Sequence, residues 1–208
     1  MKEARAFWNM RSQTYDTKIG PKYEEAYWKT AECSLRYLKP SDRVLEFACG
    51  TGIMTFLLAP HVESIRGIDI SNEMVAHAKQ KLTAESANVT VEQLDIFDQQ
   101  LAEGSFDAVV AYNVLLYLPD RERVLGRIRS LLKPGGMFLS ATDCLGEKLT
   151  REGVQKFWRS HTGKMPYVAF DSVKGLERAV REAGFTVLET ENLFPAPPNL
   201  FLAAKKEE

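Results

Sequence analysis

Val44-Leu45-Glu46-Phe47-Ala48-Cys49-Gly50-Thr51-Gly52 is an apolar run that ends in two glycines one residue apart. Large and β-branched residues at 43–47 form a buried strand. Gly50 and Gly52 let the chain reverse sharply while a ligand approaches its backbone. Helical patterning follows at 51–59. A dinucleotide fingerprint does not fit this turn: started at Gly50 it needs glycine where Thr55 stands, and started at Ala48 its third glycine falls on Ile53. Walker-type phosphate binding fails as well, since no Gly-Lys-Ser/Thr follows. Glu46, on the strand itself, repels pyrophosphate and suits a cationic ligand.

On both sides of this turn, short β-branched runs alternate with helical patterns. Residues 64–70 read as a second strand, 89–93 as a third, 106–111 as a fourth and 137–141 as a fifth. Ser71 is a natural cap for a helix whose apolar face is Met74, Val75, Ala78 and Leu82. Asp120 is expected to cap a helix carrying Val124, Leu125, Ile128, Leu131 and Leu132, and Lys133-Pro134-Gly135-Gly136 to stop it and turn the chain. Asp171 is expected to cap a last helix ending at Gly184, before strands at 186–192 and 200–205. The six residues from Phe194 to Asn199 leave no room for a crossover helix, so these two strands run antiparallel. The fold class is therefore α/β: a Rossmann-like, doubly wound, seven-stranded sheet, mostly parallel, with a C-terminal antiparallel hairpin and helices on both faces.

The chain has 208 residues, enough for one domain. Its 27 basic and 28 acidic residues leave no surplus for phosphate contacts, which argues against a dedicated nucleic-acid binder. Cys33, Cys49 and Cys144 are odd in number and widely spaced, so neither a disulfide framework nor a zinc or other metal site is expected. The start, MKEARAFWNM, lacks the apolar stretch of a signal peptide, and the run 106–118 is broken by Asp107 and Asn113 and too short to span a bilayer. A soluble, cytoplasmic protein without integral membrane association is the expectation.

Within the single domain, 43–141 reads as a ligand-binding core and 171–208 as a final helix and hairpin. Residues 1–38 form one or two aromatic-rich helices, a candidate lid, and 144–170 a candidate substrate cap. Both could cover the carboxyl edge of the sheet, where open α/β sheets bind ligands, or simply pack down through their aromatics.

These motifs, taken in order, resemble the class I S-adenosylmethionine-dependent methyltransferases of the small-molecule, quinone-methyltransferase-like kind, also called type 11. VLEFACGTG resembles that family's first motif, GIDIS (67–71) its second, LDIFD (94–98) its third, FDAVVAYNVLLYL its fourth, and LLKPGG with MFLSA its fifth. FWNMRSQTYD resembles the usual lead-in. Ala48 departs from the common glycine, and Asn113 stands where relatives often carry histidine.

The resemblance implies S-adenosylmethionine as cofactor, S-adenosylhomocysteine as product and a small-molecule methyl acceptor, and it leaves the oligomeric state open. It implies that Asp69, 17 residues beyond Gly52, accepts from the ribose hydroxyls. Ile70 and Met74 would enclose the adenine, Asp95 accept its amino group and the Ile96 N–H face a ring nitrogen. Glu46 with the backbone of Ala48 and Gly50 would hold the methionine portion, with Tyr112 and Asn113 near the sulfonium. Tyr15 would be a lid residue or a packing residue. Methyl transfer needs alignment and exclusion of water more than a dyad, so the catalytic residue is open. His161, Asn113 and Asp143 are the candidates; His61 reads as surface and His77 as solvated or packed. Two further readings stay open. One is methylation of a lipid head group or membrane quinone, motivated by Lys2, Arg5, Trp8, Arg11, Lys18 and Lys22. The other is a non-catalytic cofactor-binding module.

Overall fold

The computed structural model describes residues 2–19 and 23–207. Two helices lead in, α1 (Lys2–Thr14), continued by a π-helical turn (Tyr15–Ile19), and α2 (Glu24–Leu35). The core then alternates β1 (Arg43–Phe47), α3 (Ile53–Leu58), β2 (Ser64–Asp69), α4 (Asn72–Gln80), β3 (Val89–Gln93) and β4 (Phe106–Tyr112). The remainder is α5 (Arg121–Leu131), β5 (Leu132–Asp143), α6 (Arg151–His161), α7 (Val173–Glu182), β6 (Phe185–Pro195) and β7 (Pro198–Lys206).

The seven strands lie in the order β3-β2-β1-β4-β5-β7-β6. The first five are parallel, and β7 runs antiparallel to both β5 and β6, as the short connection requires. Alternate residues of each central strand face opposite sides, because strand side chains repeat every two residues. Val44, Ala108 and Val110 meet α2, α3 and α4 on one face. Leu45, Val109 and Ala111 meet α5 and α7 on the other. Both clusters are built of buried apolar side chains and fix the sheet between its helices, with its carboxyl edge carrying the loops.

Four local expectations are corrected. Lys133-Pro134-Gly135-Gly136 does not turn the chain between helix and strand: α5 passes directly into β5, and these residues form a bulge within it. Pairing to β4 jumps from Phe106↔Leu132 to Ala108↔Met137. A Cβ at Gly136 would stand 2.9 Å from the Lys133 carbonyl and 3.0 Å from that of Asp107, so the bulge is too tight for a side chain. Asp171 is not the cap of α7. Ser172 is, its Oγ accepting the Gly175 N–H at 3.1 Å, while Asp171 pairs with Arg121. Asp120 makes no side-chain cap to α5, and Leu82 lies beyond the end of α4 and is exposed. Ser71 does cap α4, accepting the Met74 N–H at 3.1 Å.

Candidate active site

Strand order reverses between β1 and β4, and at such a switch point the connections leave on opposite faces and open a crevice at the carboxyl ends. Both strands end there in a residue with left-handed backbone that is not glycine: Ala48 at φ 59° and Asn113 at φ 53°. A Cβ in that region costs roughly 1–2 kcal/mol, a strain that clusters where function holds it. Gly50, at φ 56°, would meet no atom within 4 Å if given a Cβ, so its backbone borders open space. Ala48→Gly should relieve the first lip, less the chain entropy a glycine loses. The expected gain is about 0.5–1 kcal/mol, read as a melting temperature higher by a few degrees. A lower melting temperature would mean that the methyl group packs more than it strains.

Asp69 closes β2 beside this turn, with 8% exposure. Its Oδ2 accepts the Gly50 N–H at 3.0 Å and its Oδ1 the Ser71 N–H at 2.8 Å. Burial raises its pKa, opposed by those backbone donors. Two carboxylate oxygens offer about four acceptor sites, so the two N–H groups leave about two free for hydroxyls. Gly50 therefore builds the turn and anchors the acid at once.

Glu46 lies one strand over, on β1, and is buried. Thr55 Oγ1 of α3 donates to its Oε2 at 2.5 Å. Burial, with the charge of Asp69 adding, pushes its carboxyl up to about 8 against the pull of Thr55. An unfolded glutamate titrates near 4.3, so the native state keeps the proton between those values, and the fold loses stability as pH rises through that window. A cation beside Glu46 would reverse this by favouring the carboxylate. Glu46→Gln, which needs no proton to be buried, should therefore raise the melting temperature at pH 7 relative to the parent yet weaken S-adenosylhomocysteine binding by about 10-fold or more. Titration calorimetry in buffers of different ionisation enthalpy should also show proton release on binding at pH 6–7 in the parent but not in the variant.

The remaining expected ligand contacts gather around the same edge. Met74, at the start of α4, is buried, Ile70 half-buried, and Ile96 buried in the turn after β3. Asp95 Oδ1 accepts the Phe97 N–H at 2.9 Å, which fixes that turn. Tyr112 differs from its expected place: its hydroxyl lies 2.7 Å from Ser34 Oγ, buried beneath α2, and burial raises its pKa.

The amino-terminal segment is strapped across this edge. Asp16 accepts from Thr51 Oγ1 at 2.7 Å and pairs with Lys81 at 2.8 Å, so the segment holds the glycine turn itself. Asn9 accepts from Ser71 Oγ at 2.6 Å and donates to Asn72 at 2.9 Å. Tyr15 lies between these clasps, 3.4 Å from the Tyr27 hydroxyl. Burial raises its pKa, and the nearby Asp69 and Asp16 add to the rise.

Beyond Tyr15 opens a cavity of about 470 Å³ between α1, the short 3-10 turn Leu115–Tyr117 and α6. Phe7, Trp8, Tyr117 and Met165 form its apolar wall, and the Trp8 and Tyr117 rings meet edge to face at 5.2 Å. A hydrogen-bonded chain leads away from its Lys156. Asn199 Nδ2 donates to Asn113 Oδ1 at 3.0 Å and to Asp143 Oδ1 at 2.9 Å, and Asp143 Oδ2 pairs with Lys156 at 3.0 Å. The structure thus brings Asn113 and Asp143 together. It does not bring His161 to them. On α6 the cavity takes Arg151, Glu152, Gln155, Lys156 and Arg159, whereas His161 lies on the opposite flank, exposed and stacked 4.0 Å from the Phe157 ring. His61 is exposed and His77 half-buried. Sequence reasoning missed Asn199, Lys156 and Tyr117 as site residues. No local signal pointed to Asn199: it is the antiparallel pairing of β7 with β5 that sets it opposite Asp143.

A seven-stranded sheet with a reversed last strand, a glycine turn after β1 and an acid at the end of β2 define the class I S-adenosylmethionine-dependent methyltransferase fold. Residues 44–136 match the family model described as a methyltransferase domain. It is similar to phosphoethanolamine N-methyltransferase 1 of Arabidopsis thaliana, 26% identical over 156 residues, 74% of this chain and 31% of that protein. It is also similar to the demethylmenaquinone methyltransferase of Symbiobacterium thermophilum, 26% identical over 83% of this chain and 70% of that one. The solved phosphoethanolamine N-methyltransferase 2 of Haemonchus contortus, in complex with phosphomonomethylethanolamine and S-adenosylhomocysteine, superposes with a TM-score of 0.75. Its identity is 19%, covering 97% of this chain and 60% of that one, a likeness of fold. The chain spans about a third of the length of the first of these relatives.

Proposed function

We propose that this protein transfers a methyl group from S-adenosylmethionine to a small-molecule acceptor and releases S-adenosylhomocysteine. The observation that carries the reading is the Asp69–Gly50 unit: a buried carboxylate with acceptor sites to spare, held by the N–H of a glycine that borders open space. Two neighbouring hydroxyls of a ribose fit that carboxylate, and the buried acid of Glu46 fits an ammonium. When bound, the cofactor supplies a methyl group on a sulfonium, whose carbon–sulfur electron pair departs with the sulfur. The chain's own part is to bind, orient and keep water out. The strap through Asn9, Tyr15 and Asp16 acts as the lid over the crevice, and α6 caps the acceptor side. Asp143, paired with Lys156, positions Asn199 and Asn113 rather than serving as a free base.

Among the described residues no helix is long and apolar enough to cross a membrane. The three cysteines are unpaired and buried. The balanced charge favours an acceptor other than nucleic acid. A second reading, in which the acceptor is a lipid head group or quinone at a membrane, gains from the outer flank of α6. There Trp158 is 62% exposed beside Phe157 and Val154. Lys22 and the side chain of Lys2, part of the basic surface expected for that reading, lie outside the described residues.

Titration calorimetry is the direct test. S-Adenosylhomocysteine should bind stoichiometrically, and its failure to bind well above micromolar concentration would falsify the assignment. Incubation with methyl-labelled cofactor and a metabolite extract should give a labelled small molecule, and no product would favour a non-catalytic module. Co-sedimentation with anionic liposomes would favour the membrane reading.

A further inference from the structure

The cavity beside the crevice is strongly cationic on a chain that is not. Arg11, Arg151, Lys156 and Arg159 line it, against the carboxylates of Glu152 in its wall and Asp143 behind, whereas the whole chain carries a formal net charge of −1. Both of those carboxylates are spent on one cation, Lys156, at 3.0 Å each. The three guanidinium groups make no ion pair or side-chain hydrogen bond among the described residues. They come from two separate elements, Arg11 from α1 and the others from α6, and converge on one concavity whose other wall is aromatic.

Elsewhere five arginines are ion-paired, Arg36 with Glu189 and Glu191, Arg66 with Glu92, Arg121 with Asp171, Arg127 with Glu103 and Arg181 with Glu177, while Arg5, Arg43, Arg123, Arg129 and Arg178 make no ion pair among the described residues and none of them lines this hollow. Three left unmatched in one hollow mark a charge deficit that a ligand can fill. Guanidinium is a planar fork that binds carboxylate or phosphate oxygens in pairs and is shed by water more readily than an ammonium. The hollow would also draw an anion inward through its summed field. Resting on the methyl-transfer reading, we infer that the acceptor is an anion: a small molecule with an apolar or aromatic body against Phe7, Trp8 and Tyr117 and a carboxylate or phosphate held by Arg11, Arg151 and Arg159. The cavity volume admits one such molecule, and neither Asp69 nor Glu46 lines it, so the two ligands' charges are handled by different residues.

Phenyl phosphate and benzoate are the probes, with benzyl alcohol and benzylamine as neutral and cationic counterparts of the same ring. Titrated into protein saturated with S-adenosylhomocysteine, the anions should bind saturably, and more weakly as salt is raised, while the alcohol and amine should not. The double variant Arg11→Gln/Arg159→Gln, altered only at solvent-reaching side chains, should lose about 10-fold or more of the anion affinity and keep its affinity for S-adenosylhomocysteine. Which anion binds better separates the phosphate source of the charge from the carboxylate. The inference is overturned if neither anion binds at millimolar concentration while S-adenosylhomocysteine does, if benzyl alcohol or benzylamine binds as well, or if the double variant binds the anions undiminished. Should S-adenosylhomocysteine itself fail to bind, the methyl-transfer reading falls. The same titration on the unloaded protein then still decides whether the hollow takes anions.

Discussion

Replacing Asp69 with asparagine should weaken S-adenosylhomocysteine binding by about 100- to 1000-fold, the largest loss expected from any single change in the crevice. The figure follows from two hydrogen bonds to a charged, water-excluded acceptor, each worth about 1.5–3 kcal/mol and not fully additive, at about 1.4 kcal/mol per decade. Asparagine keeps the size and removes the charge, but it cannot keep the local bonds. One oxygen of Asp69 faces the Gly50 N–H and the other the Ser71 N–H, so the amide must turn its own NH2 against one of them. A lower melting temperature is therefore expected as well, and it has to be separated from lost binding. Ser71→Ala serves that purpose: it removes the cap on the Met74 N–H and the clasp to Asn9 while leaving the carboxylate of Asp69 in place. If Ser71→Ala, at a matched loss of melting temperature, weakens the ligand as much as Asp69→Asn does, then Asp69 holds up the turn and touches no ribose.

Asp69 was legible in the sequence because its role depends on short-range features: a strand that ends, a glycine turn at a fixed distance, a helix capped two residues later. The same holds for all seven strands and for the reversed hairpin, where a connection expected to be six residues, and found to be only Ala196-Pro197, allows only one direction. What was not legible depends on partners far along the chain. Asp171 and Ser172 are equally good caps by type; Arg121, fifty residues upstream, takes the first and leaves the second to α7. Pro134-Gly135-Gly136 has turn composition, yet the lateral pairing of β5 with β4 absorbs it as a bulge. Tyr112 ends a strand at the switch point, and only the position of α2 decides that its hydroxyl is buried on Ser34. His161 was a candidate by chemistry alone. Its exclusion needed the helical face of α6, since Arg151, Gln155 and Arg159 recur every four residues on one side while Val154, Phe157 and His161 occupy the other. Trp8 against Tyr117, the contact that walls the cavity, joins residues more than a hundred positions apart, and no local pattern encodes it.

Gly146→Ala should separate the two halves of the site. A Cβ at Gly146 would lie 2.2 Å from the Phe170 carbonyl oxygen and within 3.0 Å of the backbone of Asp171, contacts that no rotamer change relieves. The Gly146 N–H also donates to the Asp171 carbonyl at 2.9 Å, and Ala169 donates to Leu116 at 2.7 Å, so the cap 144–170 is pinned at its base by backbone on backbone. Forcing the methyl group in must part these strands of chain at a cost on the order of 1–3 kcal/mol, seen as a melting temperature lower by roughly 3–10 °C. Nothing at Gly146 touches Asp69, Gly50 or Glu46, so S-adenosylhomocysteine affinity should stay within about threefold, as for distant independent sites. Amide exchange should quicken across 144–170, and phenyl phosphate affinity should fall by about 10-fold or more as α6 loses its register against Trp8 and Tyr117. Unchanged exchange with undiminished phenyl phosphate binding would show that the hollow is shaped by α1 alone, with the cap as mere covering. Loss of both ligands together would show that cap and crevice form one cooperative unit, contrary to the separation argued here.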